Sequence, residues 1–136
     1  MPYVDAFLFN KKGLKKNLVL ELEEDESILT CIKQGMEQNN LEQVNVETIE
    51  GRMKECLINY FERNSFKSSV LKDVDILIAS GSFKSSYSEL FGSMKIVTNE
   101  KPPMQGTFVR GKASEGLKIT LSFIEFVDKE EPLIEE

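Results

Sequence analysis

Leu18, Leu20 and Leu22 alternate with Val19, Glu21 and Glu23, the period of a strand with one face in the core and the other nearer water. A few residues later the period lengthens. Ile28, Ile32 and Met36 recur every four positions with Leu29 and Cys31 beside them, and the run ends at Asn39 and Asn40. This spacing predicts one amphipathic helix over about residues 26 to 39. Asp25 or Ser27 can cap it by accepting from first-turn amides, and Glu24 and Glu26 suit its positive end. Ahead of both, residues 3 to 9 hold enough β-formers for a short strand, and Asn10 to Gly13 supply turn chemistry.

Beyond the helix the pattern returns to strands. Residues 43–49 and 52–62 read as a hairpin around Glu50 and Gly51, where glycine permits a tight connection. In its second strand Cys56, Ile58 and Tyr60 share one face while Met53, Leu57 and Phe61 mostly share the other, so both faces are expected to be covered. Asn64 to Lys72 is polar and reads as a loop. Val74 to Ser80 is the most hydrophobic short strand, stopped by Gly81 and expected at the centre of the sheet. After a Ser- and Lys-rich stretch over 82–88, Met94, Ile96 and Thr98 alternate with Lys95 and Val97 up to an NEKPP turn. Gln105 to Arg110 and Leu117 to Val127 supply two last strands across a glycine-bounded link, Gly111 to Gly116. The tail, DKEEPLIEE, is too acidic to pack.

Short connections between six to eight such strands suit antiparallel pairing. The expected fold is α+β, a mostly antiparallel sheet packed with one main helix. The strands at 74–80 and 117–127 should be middle pieces of one sheet whose uncovered side is hidden by sister chains.

Composition narrows this picture. A chain of 136 residues, 40% apolar and 29% charged, suits a single domain with a packed core, here about residues 17–127. No apolar run approaches the roughly 20 residues that cross a bilayer, and residues 1–16 lack the apolar stretch of a signal peptide, so a cytoplasmic location without membrane contact is expected. Cys31 and Cys56 form no CxxC, and buried free thiols are expected. The net charge of −6 disfavours general binding to nucleic acid, whose affinity comes largely from Lys and Arg at phosphates. Lys11, Lys12, Lys15 and Lys16 form the one dense basic cluster, better explained as a solvated turn between strands than as a phosphate-binding arm.

Candidate chemistry is sparse. The sequence has no histidine, which removes the commonest general base, the commonest metal ligand and any Ser-His or Cys-His nucleophile. Glu23, Glu24, Asp25 and Glu26 are neighbours at a helix start, where solvated charge accounts for them better than acid–base work does. Neither a P-loop nor GxGxxG occurs. The SGSFKSS stretch at 80–86 offers backbone amides near Gly81 together with Lys84, and with Lys95 and Arg110 these are the residues that a ligand or anion held between subunits would meet. A strand-ending turn explains the same stretch. Neither catalysis, a cofactor nor a metal is expected.

The order of elements and several strings resemble one family, the domain conserved in plants and prokaryotes (PPC), which in plants accompanies AT-hook DNA-binding motifs. The likeness runs from about Leu18 to Val127: strand, the helix ILTCIKQGMEQNN, the segment around Glu50-Gly51-Arg52, then DVDILIASGSF at 73–83, similar to the family's FEILSLSGSF-type strand. MQGTFVRGKASEGLKITLSFIEF at 104–126 is similar to its last two strands, with Gly106 and Gly111 where that pattern has glycine.

The resemblance implies an antiparallel sheet with one main helix and a homotrimer. It also implies that the strand near 72–77 meets partner proteins in the plant branch. Val74, Asp75, Ile76 and Leu77 match that motif's hydrophobic-acidic-hydrophobic-hydrophobic core, whereas Lys72 and Asp73 depart from its Gly-Arg start. Many prokaryotic members carry metal-binding histidines in the strand corresponding to Ser93–Val97, where this chain has Met94, Lys95 and Ile96, and there is no Arg-Gly-Arg-Pro segment to enter a minor groove. The expected function is a non-catalytic oligomeric interaction module, tied to DNA binding or transcription by family resemblance. Any DNA contact would gather Lys11, Lys12, Lys15 and Lys16 from each subunit at a trimer edge. The alternative is a small-molecule-binding protein or enzyme with its ligand between subunits.

Overall fold

In the computed structural model, which describes residues 3–6, 11–86, 89–99 and 102–127, the leucine alternation lies in a 12-residue strand, β2 (Lys11–Leu22). It follows β1 (Tyr3–Ala6) and precedes the helix α1 (Ile28–Gln38). The remaining strands are β3 (Gln43–Glu62), β4 (Ser65–Ser86), β5 (Glu89–Thr98), β6 (Met104–Ala113) and β7 (Leu117–Val127). All pairings are antiparallel, in the order β1-β2-β7-β3-β4-β5-β6. β6 also pairs with β3, from Met53↔Ala113 to Asn59↔Thr107. The sheet therefore curls until β3, β4, β5 and β6 form a closed ring, and closure removes an edge that would otherwise need covering. The expected α+β architecture, mostly antiparallel with one helix, is what these elements form.

Ser27 caps α1, its hydroxyl accepting from the Thr30 amide at 3.3 Å. Asp25, the other candidate cap, instead takes a left-handed backbone (φ 68) in the preceding turn. The helix buries Ile28, Ile32, Gly35 and Met36 against the sheet. Gly35 sets how close it can lie, because a Cβ there would stand 3.2 Å from Cδ2 of both Leu18 and Leu20. The core continues through Met53, Cys56 and Ile58 of β3, Phe83 of β4, Ile96 of β5 and Leu121 of β7. Each large side chain so buried contributes about 1.5–3 kcal/mol of transfer free energy.

Several sequence expectations are corrected. No turn occurs at Glu50-Gly51: β3 runs through it, and Gly51 (φ 123) lies against the Leu117 backbone, so glycine serves close approach here. The reversal comes at Arg63-Asn64 (φ 52 and 65), a two-residue hairpin link with both residues left-handed. The stretch read as a loop, 64–72, therefore belongs largely to β4 and pairs along β3 from Glu62↔Ser65 onward. Its Ser and Lys residues alternate between the two faces of that strand, with Lys67, Ser68 and Lys72 exposed. At the tip Phe61 and Phe66 face each other edge to face, ring centroids 5.0 Å apart.

Gly81 does not stop a strand. It sits inside β4 between Val46 and Met94, where a Cβ would stand 2.2 Å from the Ser93 carbonyl oxygen. Lys11, Lys12 and Gly13 belong to β2 and not to a turn, and Gly111 to Ala113 belong to β6, leaving a link of Ser114 to Gly116. On β3 a register shift between Met53 and Glu55 turns Met53 to the same buried side as Cys56 and Ile58, while Phe61 is 60% exposed. One extra residue in a ladder reverses the alternation beyond it. The segments 74–80 and 117–127 do share one sheet, with β3 between them. The expectations for residues 7–9, 87–88, 100–101 and the tail fall outside the described residues.

Candidate functional site

β4 brings the family-motif residues together in two environments. Val74 and Ile76 are buried, whereas Leu77 and Ile78 are 60% and 61% exposed. Their exposure has a local cause. The register of β4 against β5 steps from Ile76↔Thr98 to Ile78↔Val97, so Leu77 has no opposite residue. The ladder to β3 is also interrupted between Val46↔Gly81 and Gly51↔Ile76. A bulge of this kind breaks strict alternation, and two consecutive large apolar side chains end up in solvent. The run DILIAS looks in sequence like a strand buried on both faces, so nothing in it marked Ile78 as exposed.

The neighbouring residues hold that segment in place. Arg52, opposite Asp75 on β3, donates from Nη1 to Asp75 Oδ1 at 2.8 Å and from Nη2 to the Asp73 carbonyl at 2.6 Å. The Asn99 side-chain oxygen accepts from the Asp75 amide at 3.3 Å. Asp73 itself has φ 52, a left-handed conformation that Asp tolerates better than most residues.

The four residues proposed for a ligand are split up. Lys84 and Lys95 lie on the same face of the β4–β5 pair, with Ser82 and Ser93 between their registers. Gly81 faces the opposite side, and its backbone is taken up by the ladders to β3 and β5. Arg110 lies on β6 opposite Leu57 and pairs with Glu55 at 3.1 Å. It lies five positions along β6 from Gln105, the neighbour of Lys95, or about 16 Å of strand. The sheet face that carries Lys84 and Lys95 is polar along one continuous register: Asn17, Ser122, Asn45, Ser82, Ser93 and Thr107 are successive cross-strand neighbours.

The lysine cluster is divided as well. Lys15 and Lys16, adjacent on β2, leave opposite faces of the sheet, as strand alternation requires. Lys15 stands 3.6 Å from Glu47 and Lys16 is 2.7 Å from Glu125. The Lys11 and Lys12 side chains fall outside the described residues.

Titratable groups elsewhere serve the fold. Lys54 bridges Glu24 (2.8 Å) and Asp25 (2.9 Å). Its hydrogen bonds hold both carboxyls below their ordinary values, with the Glu115 amide adding to the effect on Glu24, while the two acids raise Lys54 in turn. Burial pushes the Cys56 thiol up to about 12. Burial and the adjacent Glu26 raise Cys31, so both thiols stay protonated at neutral pH and are poor nucleophiles. Among the described residues, no three His, Cys, Asp or Glu gather where they could hold a metal ion, and no helix is long and apolar enough to cross a membrane.

No protein-family model and no curated protein matches the sequence. Solved structures do. The chain is similar to a metal-containing protein from Archaeoglobus fulgidus (TM-score 0.66, 14% identity, covering 81% of this chain and 80% of that one). It is similar to a candidate DNA-binding protein from Ralstonia eutropha JMP134 (TM-score 0.61, 14% identity, 82% and 84%). It is also similar to a plant- and prokaryote-conserved (PPC) protein from Pyrococcus horikoshii (TM-score 0.62, 18% identity, 86% and 83%). The class is therefore an α+β domain with a curled antiparallel sheet and, among the described residues, a single helix. More particularly, the fold is that of PPC proteins, in agreement with the resemblance carried by DVDILIASGSF and by the last two strands.

Proposed function

We propose that this protein is a non-catalytic, oligomeric interaction module of the PPC type that meets a partner protein through β4. The observation that carries this reading is the exposed pair Leu77–Ile78 beside the clamped Asp75, in the segment that the family resemblance associates with partners. Adjacent apolar side chains held on a rigid strand suit the centre of an interface, because their burial on binding needs little reordering. A homotrimer is part of the proposal and rests on the same resemblance. Its test is the mass in solution: three chains support it, and a monomer at all concentrations overturns it. For the partner site, Leu77→Asp combined with Ile78→Asp should abolish co-purification of the partner from native lysate while the circular dichroism spectrum is unchanged. Retention of the partner by that variant would overturn the assignment.

DNA enters by analogy with the Ralstonia protein, and the division of the lysines between two faces weighs against a concentrated phosphate-binding surface. A gel shift at low salt decides it, since no shift at micromolar protein removes DNA. The rival reading, a ligand between subunits, is favoured only by Lys84 and Lys95 sharing a polar face. It requires a ligand-dependent rise in melting temperature that Lys84→Ala and Lys95→Ala diminish.

A further inference from the structure

Glu47 is the extra residue of a β-bulge. Between Val46↔Leu121 and Thr48↔Thr120 the ladder advances two residues on β3 for one on β7, so Glu47 has no residue opposite it there. The ladder to β4 also stops at Val46↔Gly81 and resumes only at Gly51↔Ile76. A bulge re-aims a side chain, and here the Glu47 carboxylate reaches back over β7. Ser122, only 2% exposed, donates its hydroxyl to Glu47 Oε2 at 2.5 Å. Lys15 Nζ stands 3.6 Å from the same oxygen. Both contacts fall on Oε2, and Glu47 Oε1 has no partner among the described residues.

These groups border a hollow of about 470 Å³ on the polar face of the sheet, within the size range of small-molecule sites. Asn45, opposite Ser122, and Gln43 add amide groups along β3. Ile124, opposite Lys15 and 37% exposed, gives an apolar wall. Among the described residues, Lys15 and Glu47 are the only charged side chains that line the hollow. Their ion pair is long and partly exposed, so it contributes little by itself and yields readily to a ligand that pairs with both.

We propose that this hollow binds a free α-amino acid with an apolar side chain. The site sets one positive and one negative group side by side, and a ligand with a single charge would leave the other group desolvated without a partner. An amino-acid zwitterion answers both. Its ammonium donates to the free Glu47 Oε1 and its carboxylate accepts from Lys15, so that the ligand dipole lies antiparallel to that of the Lys15–Glu47 pair. The buried Ser122 hydroxyl fixes the Glu47 carboxylate before the ligand arrives, which lowers the ordering cost of binding. Asn45 and Gln43 supply further donors for the ligand carboxylate, and Ile124 packs against its side chain. Every group comes from one chain, so each chain holds one ligand, and the proposal is independent of the trimer and of the Leu77–Ile78 surface.

The test is calorimetric titration of the full chain with L-leucine, L-valine and L-phenylalanine, beside two probes that each lack one charge, 4-methylpentanoate and 3-methylbutylamine. Saturable binding of at least one of the three amino acids is expected, at one site per chain and about tenfold or more tighter than either single-charge probe. Lys15→Met and Glu47→Gln should each weaken it by about tenfold or more, while the melting temperature without ligand stays near that of the unaltered chain. Glu47→Gln keeps an acceptor for the Ser122 hydroxyl, so its loss of binding reports the ligand ammonium and not the fold. Lys118→Met, on the same strand as Ser122 but outside the hollow, should leave binding unchanged. Absence of binding for all three amino acids up to about 10 mM overturns the proposal. So does a single-charge probe that binds as tightly as the amino acid, or binding that Lys15→Met and Glu47→Gln both retain.

Discussion

Arg52 and Asp75 stand directly opposite each other on β3 and β4, and the guanidinium that binds the Asp75 carboxylate at 2.8 Å also binds the Asp73 carbonyl at 2.6 Å. One side chain therefore secures both the left-handed residue at 73 and the strand that presents Leu77 and Ile78. Both partners are about half exposed (46% and 51%), so the ion pair itself contributes no more than about 1 kcal/mol. Arg52→Ala should lower the urea midpoint by a corresponding amount. Asp73→Gly, which removes the left-handed penalty, should be neutral or stabilising by up to about 1 kcal/mol. A larger loss for Asp73→Gly than for Arg52→Ala would contradict this account of the clamp.

Gly92 is required by a ring. It lies opposite Phe83, and a Cβ at position 92 would stand 2.0 Å from Phe83 Cδ1. Phe83 is 1% exposed and packs edge to face on Phe108 at 5.9 Å, so it has little room to retreat. Gly92→Ala should cost about 1–3 kcal/mol through overpacking. By contrast, Gly116→Ala meets nothing within 4 Å and carries only the penalty of φ 87, roughly 1 kcal/mol. Thermal unfolding of the two variants should rank them in that order.

Glu24 and Asp25 titrate below their ordinary values of 4.5 and 3.8, and Lys54 above its ordinary 10.5. For the acids the lowered folded value means that their contribution is present above the ordinary range and lost as pH falls through the lowered values. For Lys54 the contribution is present below 10.5 and lost as pH rises past it. Lys54→Met should therefore flatten both the acid and the alkaline limb of a stability–pH curve measured by denaturant titration. Between them, with no histidine to titrate, the curve should be flat.

Cys31 is half-buried and Cys56 is buried, and both thiols are raised. A thiol reagent at neutral pH should label Cys31 slowly in the native protein and Cys56 only at the rate of unfolding, checked by mass spectrometry after partial reaction. Cys56 labelling that outpaces unfolding would contradict the packing of β3 described above.

Much of the fold was legible where local periodicity and burial coincide. The four-residue spacing of α1 and the Leu117–Val127 strand were placed within a few residues, and the leucine alternation marked the second half of β2, whose first half from Lys11 was not read as strand. The long hairpin was not, because its turn is Arg63-Asn64 and the glycine that suggested a turn, Gly51, answers a tertiary contact with Leu117. Gly81 misled for the same reason, since a glycine required by a neighbouring strand looks in sequence like a glycine required by a bend. The site was legible in part. Val74 to Leu77 were singled out by resemblance, while the exposure of Ile78 depends on a bulge against β5 that has no local signature.

By itself the amino-acid sequence determined the class of fold, one helix on an antiparallel sheet, because alternation and helical spacing are properties of neighbouring residues. It also determined that histidine chemistry is absent. Only the tertiary structure decided that β6 returns to β3 to close the ring, that Lys15 and Lys16 serve different faces, and that β7 rather than another strand lies beside β2 from Lys12 to Leu22. Those outcomes depend on which strands become neighbours and in what register. That choice is made by the packing of side chains far apart in the chain, which no local pattern records.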